Sequence, residues 1–508
     1  RIVVVVAVAT ALMGFSATAW DVAAQARDEA ANSAVGAATV HKVSAPDAQR
    51  LIAGVTSAAP DGSAMAVVRR PQYYDGDVIQ VIGVQSDRLA KAATWFRHSE
   101  AQLADVGRML HPAAPAPAPV SGRLTVRLQV DGFAGAPVLL AADILTTGQT
   151  RQPVELGRLK SGTNEYSVDV PDGTLAMLKL LRTDFGGESG SGTVTVLRIS
   201  SAKGETPIGG KDAWQPVVPA GSTVDLIGDS QLTARISAGP GADVRLARLR
   251  APKALPVLLT GSVPAQGIGT DGAWPFIAFG NQPQRFTAAR TDTLVPGANG
   301  HGMLVDLDYG LIGTADILAS PAPEGDVFYE VWAGPDAPAD LARRLADQGI
   351  QVRSTESLTD RTDRLGRAAP ALALRLYALG GVVAVLLALG IVLLAVRVGA
   401  EQRRYGIASL IVAGLPERAL RSGVRREFLT LLGWPSAVGF AVGVVSAILM
   451  LPVIPLVTTG VVTEARWQPA PGALVAVAAA CLACLLLALP VAVRLVRQST
   501  PELLRGES

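Results

Sequence analysis

Four stretches of this chain are long and apolar enough to cross a bilayer, and they constrain its fold more than any other feature. A membrane-spanning helix takes about 20 apolar residues at about 1.5 Å of rise each. IVVVVAVATALMGFSATAW fills residues 2–20, and LYALGGVVAVLLALGIVLLAV fills 376–396 without a single charge. A third stretch runs from Phe428 to Leu451 and a fourth from Ala473 to Val493. Residues 21–375, between the first and the second, are ordinary charge-bearing sequence. The plan is one helix, one large polar domain and three closely spaced helices.

Composition agrees. Only 17% of the 508 residues are charged, against about 25% in an average soluble chain. Lys+Arg 45 against Asp+Glu 43 excludes a basic nucleic-acid binder and an acidic tail protein. Two cysteines cannot build a disulfide framework, so the fold rests on packing.

Short loops set the orientation. The segment 397–427 holds Arg397, Arg403, Arg404, Arg418, Arg421, Arg425 and Arg426 against Glu401, Glu417 and Glu427. The tail adds Arg494, Arg497 and Arg505 against Glu502 and Glu507, whereas the loop 452–472 carries only Glu464 and Arg466. A multi-pass protein of the cell (plasma) membrane is expected, with both termini cytoplasmic and the large domain extracellular. Arg367 and Arg375 lie on the contrary side of the second span, but large translocated domains escape the charge rule. The first stretch exceeds a usual signal-peptide core, and AWDVAAQARDEAANSAV after it lacks a small-x-small cleavage site. We expect a retained helix that continues outward as a stalk. A start at Arg1 rather than methionine suggests a piece of a longer polypeptide.

Beyond the stalk, TVHKV reads as a strand, SAPDAQRLIAGVTSA as a helix capped by Ser44, AMAVV and DVIQVIGV as strands, and SDRLAKAATWF as a helix. PAAPAPAP is a stiff linker. RLTVRLQV, APVLLAADIL, NEYSVDV, LAMLKLL and GTVTVLRI then alternate in short runs between turn residues, as in a β-sandwich or jelly roll. Later, VFYEVWA reads as a strand, APADLARRLADQG as a helix closed by Gly349, and IQVR as a strand.

The expected fold is an α-helical four-span transmembrane bundle plus a large extracellular α+β domain with an inserted β-sandwich. Its expected parts are transmembrane helix 1 (1–20), a helical stalk (21–38), the first part of the α+β module (39–111), a Pro/Ala linker (112–120) and the inserted sandwich (121–256). There follow the second part of the module (257–365), a stalk with transmembrane helix 2 (366–396) and a cytoplasmic coupling loop (397–427). Transmembrane helix 3 (428–451), an extracellular loop (452–472), transmembrane helix 4 (473–493) and a cytoplasmic tail (494–508) complete it.

Chemistry-bearing motifs are weak. No GxxxxGK[ST] loop occurs, and PIGGKDA has the wrong glycine spacing. His41, His98, His111 and His301 are scattered without metal-ligand spacing. IGDSQL at 227–232 is similar to the nucleophile block of GDS-type hydrolases but lacks their downstream Asp-x-x-His, so it reads as a turn. Cys481 and Cys484 lie mid-span, where a thiolate is unfavourable, and read as small packing residues. Trp214 and Tyr166 read as core aromatics rather than a ligand groove. Gly439-x-x-x-Gly443 allows a close helix contact. The chain is expected to be non-catalytic, with no metal and no cofactor.

The informative segment is AEQRRYGIASLIVAGLPERALRSGVRREF at 400–428. It is too polar for lipid and breaks into two short helical pieces at Gly414-Leu415-Pro416, with Pro416 as the first residue of a new helix. Ile407, Leu410, Ile411 and Leu415 make one apolar face, while Glu401, Arg403 and Arg404 line its approach and Glu427 opens the third span. An amphipathic helix beneath a bundle suits docking in a partner's groove; the alternative is a solvated basic loop.

On these residues the chain resembles the FtsX-like permeases of type VII ABC transporters, the MacB and LolC/E group. That family's loop reads approximately R-R-x-E-I-A-x-L-R-A-L-G before a basic helix and a glutamate. Arg403-Arg404, Ile407-Ala408, Leu410, Gly414 and Glu427 match it, and Pro501, Leu504 and Arg505 match its terminal P-x-E-A-L-R. Gly406 and Ile411 replace the family's glutamate and arginine, as in the degenerate second half of a duplicated permease. VFYEVWAGPDAPADLARRLADQGIQV, APALAL, and 38 Arg against 7 Lys are similar to large actinobacterial members. The resemblance implies a permease subunit that couples ATP hydrolysis by separate ABC ATPase (nucleotide-binding) subunits to movement of its extracellular domain, for export or mechanotransmission. Implied partners are those ATPase subunits, a second permease half or copy, membrane lipid, and an extracellular protein or glycan; nucleic acid is not among them. Two other readings stay open: a regulator of a cell-wall hydrolase, and a membrane-anchored receptor without an ATPase.

Overall fold

The computed structural model describes residues 2–74, 77–96, 98–115, 117–133, 137–146, 151–184, 189–261, 268–279, 284–298, 300–315, 327–399, 409, 416–453, 470–487 and 490. Helix α1 (Ile2–Val35) is one unbroken helix of 34 residues, so the first span and its stalk are a single rod. It ends at Gly36, whose φ of +80° is the left-handed conformation that glycine adopts without a Cβ penalty.

The chain next forms β1 (Thr39–Ser44), α2 (Ala48–Ala58), β2 (Ala64–Tyr74), β3 (Asp77–Val84), α3 (Leu89–Ala92) and α4 (Glu100–Leu110). Two local expectations fail. Asp47, not Ser44, caps α2 by accepting from the Arg50 N–H at 2.7 Å. Of the helix expected over SDRLAKAATWF, only α3 exists; the chain turns extended at Ala93, and Thr94 donates its N–H to the Gly36 carbonyl at 2.9 Å. A tie to the end of α1 outweighs local helix propensity there.

The strands that follow are β4 (Pro119–Gly132), β5 (Val138–Thr146), β6 (Arg151–Arg158), β7 (Gly162–Arg182), β8 (Gly190–Ser201), β9 (Gly204–Thr206), β10 (Trp214–Val217), β11 (Thr223–Ile227), β12 (Thr233–Ala238) and β13 (Asp243–Arg248). They form one antiparallel sheet. β7 serves both halves: its first part pairs with β4, and its second part lies between β5 and β13. Leu124, Val126 and Leu128 from one half and Leu140, Leu178, Val244 and Leu246 from the other enter a common core. Alternating inward residues of both halves thus close over one apolar interior.

After it come β14 (Leu255–Thr260), β15 (Trp274–Phe276), β16 (Gln284–Asp292), β17 (Gly302–Asp306), α5 (Leu307–Ala315), β18 (Phe328–Ala333), α6 (Leu341–Asp347) and β19 (Gln351–Ser357). These strands join β1–β3 in a nine-stranded sheet of order β15-β16-β14-β17-β3-β2-β18-β1-β19, the platform. Both its faces are covered, which explains its near-continuous apolar strands. Ala64, Ala66 and Val68 of β2 face the core of α2 and α6, whereas Met65 and Val67 face that of α3 and α4. Gly349, at φ +78°, closes α6. The passage from platform to second sheet is pinned: His111 pairs with Asp306 at 3.0 Å, Tyr309 stacks on the His111 ring, and the Tyr309 hydroxyl donates to the Pro112 carbonyl at 2.6 Å.

The chain then turns through α7 (Leu358–Gly366) into α8 (Ala369–Val398), and continues as α9 (Glu417–Met450) and α10 (Pro471–Leu486). α1, α8 and α9 are each long and apolar enough to span a membrane; α10 has 16 described residues. Two expectations are corrected here. The separate short helix and third span are one continuous α9, and Pro416 precedes its first turn as cap rather than opening it, with φ −66° and ψ 137°. Leu376, Leu387, Trp434 and Leu449 remain exposed, an apolar surface suited to lipid.

Candidate coupling site between the membrane helices and the platform

The bundle is organised around α1, which contacts α7, α8, α9 and α10. Small residues let the backbones approach. A Cβ added at Gly439 would collide with the Ala7 carbonyl, and one at Gly443 with the Ala11 carbonyl. Reciprocally, a Cβ at Gly14 would lie 2.6 Å from the Phe440 carbonyl oxygen. Toward α8, Ser16 Oγ donates to the Leu12 carbonyl at 2.8 Å and to the Tyr377 carbonyl at 3.1 Å. Toward α10, the Asp21 carboxylate accepts from the Ala470 N–H at 2.7 Å, placing an anion at a helix N-terminus. Cys481 packs with Val385 and Leu485, and Cys484 lies against the same cluster.

At its far end α1 is bolted to the platform. Ser33 Oγ donates to the Ala298 carbonyl at 3.0 Å. The fully buried Trp332 indole lies against Gly36 and Gly297, both at positive φ, where a Cβ would overlap the ring. A buried network orients that indole: Trp332 Nε1–H and Arg69 Nη2 both donate to Glu330 Oε2 at 3.0 Å, and Arg69 also donates to the Gly297 carbonyl. The second rod joins at the same place. The Leu358 N–H donates to the Ala38 carbonyl at 2.9 Å, and Leu365 of α7 packs on Ala30 and Ala31 of α1. β1 lies between β18 and β19, with Thr39 opposite both Ala333 and Ser357. In the middle of β1, His41 Nδ1 is 2.9 Å from Thr355 Oγ1, and burial pushes its pKa down. α1 and, through α7, α8 therefore lead into adjacent strands of one sheet.

The residues of the 397–427 loop singled out by sequence, Glu401, Arg403, Arg404, Ile407, Leu410, Ile411, Gly414 and Leu415, lie outside the described residues. Pro416 caps α9, and Glu427 is exposed on it, about three turns beyond the cap. Gly439 and Gly443 face α1, as above. The structure brings Gly210 and Lys211 of PIGGKDA against IGDSQL, where Lys211 pairs with Asp229 at 2.8 Å, so both strings build a turn region. Trp214 is fully buried, donating to the Ile208 carbonyl at 2.8 Å, and Tyr166 accepts from the Lys160 N–H at 3.0 Å. Sequence reasoning missed Gly36, Arg69, Glu330 and Trp332; the available signal was Glu-x-Trp on one strand face and a glycine directly after a long helix. Among the described residues, no His, Cys, Asp and Glu cluster is arranged to hold a metal.

Among the described residues, three long apolar helices, a shorter fourth, and a large β-rich domain between the first and second fit a membrane protein with a large domain outside the lipid. Residues 378–501, from α8 through α10, match the family model of the FtsX-like permease C-terminal domain. Residues 378–501 are therefore similar to the C-terminal domain of FtsX-like permeases, a family of generally non-catalytic membrane components of ABC transporters that work with ATPase subunits. No curated protein matches the chain.

Proposed function

We propose that the chain is the transmembrane permease subunit of an ABC transporter, and that it couples ATP hydrolysis on separate nucleotide-binding subunits to movement of an extracellular domain. The observation that carries this reading is the continuity of α1: one helix of 34 residues leads from the bundle to Gly36, which is seated under Trp332 beside β1. A rod without a flexible joint transmits tilt rather than absorbing it. In this reading the ATPase pair pushes the 397–427 segment through Ile407, Leu410, Ile411 and Leu415, α9 shifts against α1 at Gly439 and Gly443, and α1 with α8 moves the platform and its inserted β-sandwich. Four spans, both termini in the cytoplasm, and a second permease half or copy complete the assembly. An extracellular protein or a glycan is then what the moving domain acts on, and the product of the motion is export or mechanotransmission.

The test is co-purification from membranes with candidate ATPase subunits, comparing wild type with Leu410→Asp and Ile411→Asp. An unpaired charge on a docking face costs about 3 kcal/mol or more, so an ATPase that accompanies wild type should be lost from both variants. Failure to recover any ATPase, with variants that behave as wild type, would overturn the coupling and leave a membrane-anchored receptor as the better reading.

A further inference from the structure

A cavity of about 420 Å³ opens where the two rods leave the bundle, lined by Ala24, Arg27 and Asp28 of α1, Thr362, Asp363 and Gly366 of α7, and Arg367 and Arg375 at the start of α8. Its depth relative to the bilayer follows from the neighbouring contacts. Ser16 lies level with Tyr377, and Asp21 with the N-terminus of α10. The exposed Trp20 and Tyr377 then mark the membrane–water interface, as such aromatics do. Arg27 is two turns past Trp20 in sequence, yet its guanidinium folds back to 5.8 Å from the Trp20 ring centroid. The cavity therefore opens in the headgroup layer, directly above the exposed apolar side chains of Leu376 and Leu379.

Its charge is only partly answered within the cavity, where Asp28 lies near Arg27. Arg27 Nη1 is buried without a hydrogen-bond partner, which is costly for a charged donor. None of the Arg27, Arg367 and Arg375 side chains makes an ion pair with a described residue, although Asp28 and Asp363 line the same cavity. Three guanidiniums around two carboxylates leave one net positive charge. Guanidiniums are suited to bidentate phosphate contacts.

We propose that this cavity binds the anionic phosphodiester headgroup of a membrane lipid. The acyl chains would run down the apolar surface of α8, and the phosphate would take the free donors of Arg27, Arg367 and Arg375. A lipid held there touches both rods at once, so its binding senses their separation. The site is independent of the ATPase reading above and stands or falls separately from it.

Native mass spectrometry of the full chain, released from mild detergent after incubation with phosphatidylglycerol, phosphatidylcholine or glycerol phosphate, tests it. One phosphatidylglycerol should be retained per chain, in preference to phosphatidylcholine and undisturbed by glycerol phosphate. Removing one charge-assisted contact is expected to weaken retention about tenfold. Arg27→Gln should therefore reduce it, and Arg27→Gln with Arg367→Gln and Arg375→Gln should abolish it, while the three Lys replacements retain a fraction. Arg367 and Arg375 are exposed, so Arg367→Gln with Arg375→Gln serves if the triple variant fails to fold. Equal retention by wild type and the Gln variants overturns the proposal, and so does displacement of the lipid by glycerol phosphate, which would mark a site for a soluble anion.

Discussion

Replacing Glu330 by Leu asks what holds the joint between rod and platform together. The carboxylate, with its side chain 6% exposed, accepts from Arg69 and from Trp332, both at 3.0 Å. Its loss strands a guanidinium that is only 17% exposed, a change worth about 3–5 kcal/mol. It also leaves the Trp332 N–H without an acceptor, worth about 1–3 kcal/mol. Arg69 keeps the Gly297 carbonyl and some solvent, so we expect a total near 4 kcal/mol. Replacing Arg69 by Met in the same chain removes the stranded charge, and the residual cost should fall to about 1–2 kcal/mol, that of the orphaned indole. Pulse proteolysis across a urea series, on the full chain in detergent and read on fragments of the platform, measures both. At about 2 kcal/mol per molar urea, the single variant should lose about 2 M in midpoint and the double variant less than about 1 M. A single variant within about 0.5 M of wild type, or a double variant no better than the single, would refute the view that a paired charge orients Trp332.

Two further outcomes follow from the same contacts. Gly443→Leu drives a side chain into the Ala11 backbone and should cost about 1–3 kcal/mol, seen as a lower unfolding temperature in detergent; Gly423→Leu, where nothing lies within 4 Å, is the control, and equal shifts would exclude a special contact at Gly443. Burial holds the pKa of His41 below its ordinary value of 6.5, so the unfolded chain binds the proton more readily. Its stabilising contribution is complete above pH 6.5 and declines as pH falls below it, by at most about 1.4 kcal/mol per pH unit. Urea titrations at pH 7.5 and 5.5 should show that decline in wild type and a smaller one in His41→Gln.

Legibility in the sequence varied with the range of the forces involved. Apolar run length marked α1, α8 and α9 because lipid imposes a local requirement that each stretch meets alone. Short apolar runs marked β2, β3 and β18, because strands buried on both faces need them. Local signals misled where a distant partner decides. SDRLAKAATWF has helical spacing, but Thr94 leaves the helix to meet Gly36, 58 positions earlier. Ser44 read as the cap of α2, but the helix starts three residues later and Asp47 takes that role. Gly414-Leu415-Pro416 signalled a helix boundary correctly in kind, yet the helix it opens runs without interruption into the third span. The joint around Trp332 was hard to read, because Gly36, Arg69, Gly297 and the Glu330–Trp332 pair come from four separate segments that only the closed sheet assembles. The cavity of Arg27, Arg367 and Arg375 was half visible, since Arg367 and Arg375 break the positive-inside rule in the sequence.

The position of β1 between β18 and β19 has a consequence for how the molecule is made. Strand β1 leaves the ribosome about 290 residues ahead of its partners. At about 5–20 residues per second, that is a wait of about 15–60 s. The second sheet, complete between Pro119 and Arg248, can finish its own interior during this interval. β1 meanwhile has unpaired backbone edges and a first helix already committed to the membrane. Biogenesis of this chain thus has a built-in vulnerable period, in which β1 must be kept from pairing with the wrong strand until β18 and β19 arrive.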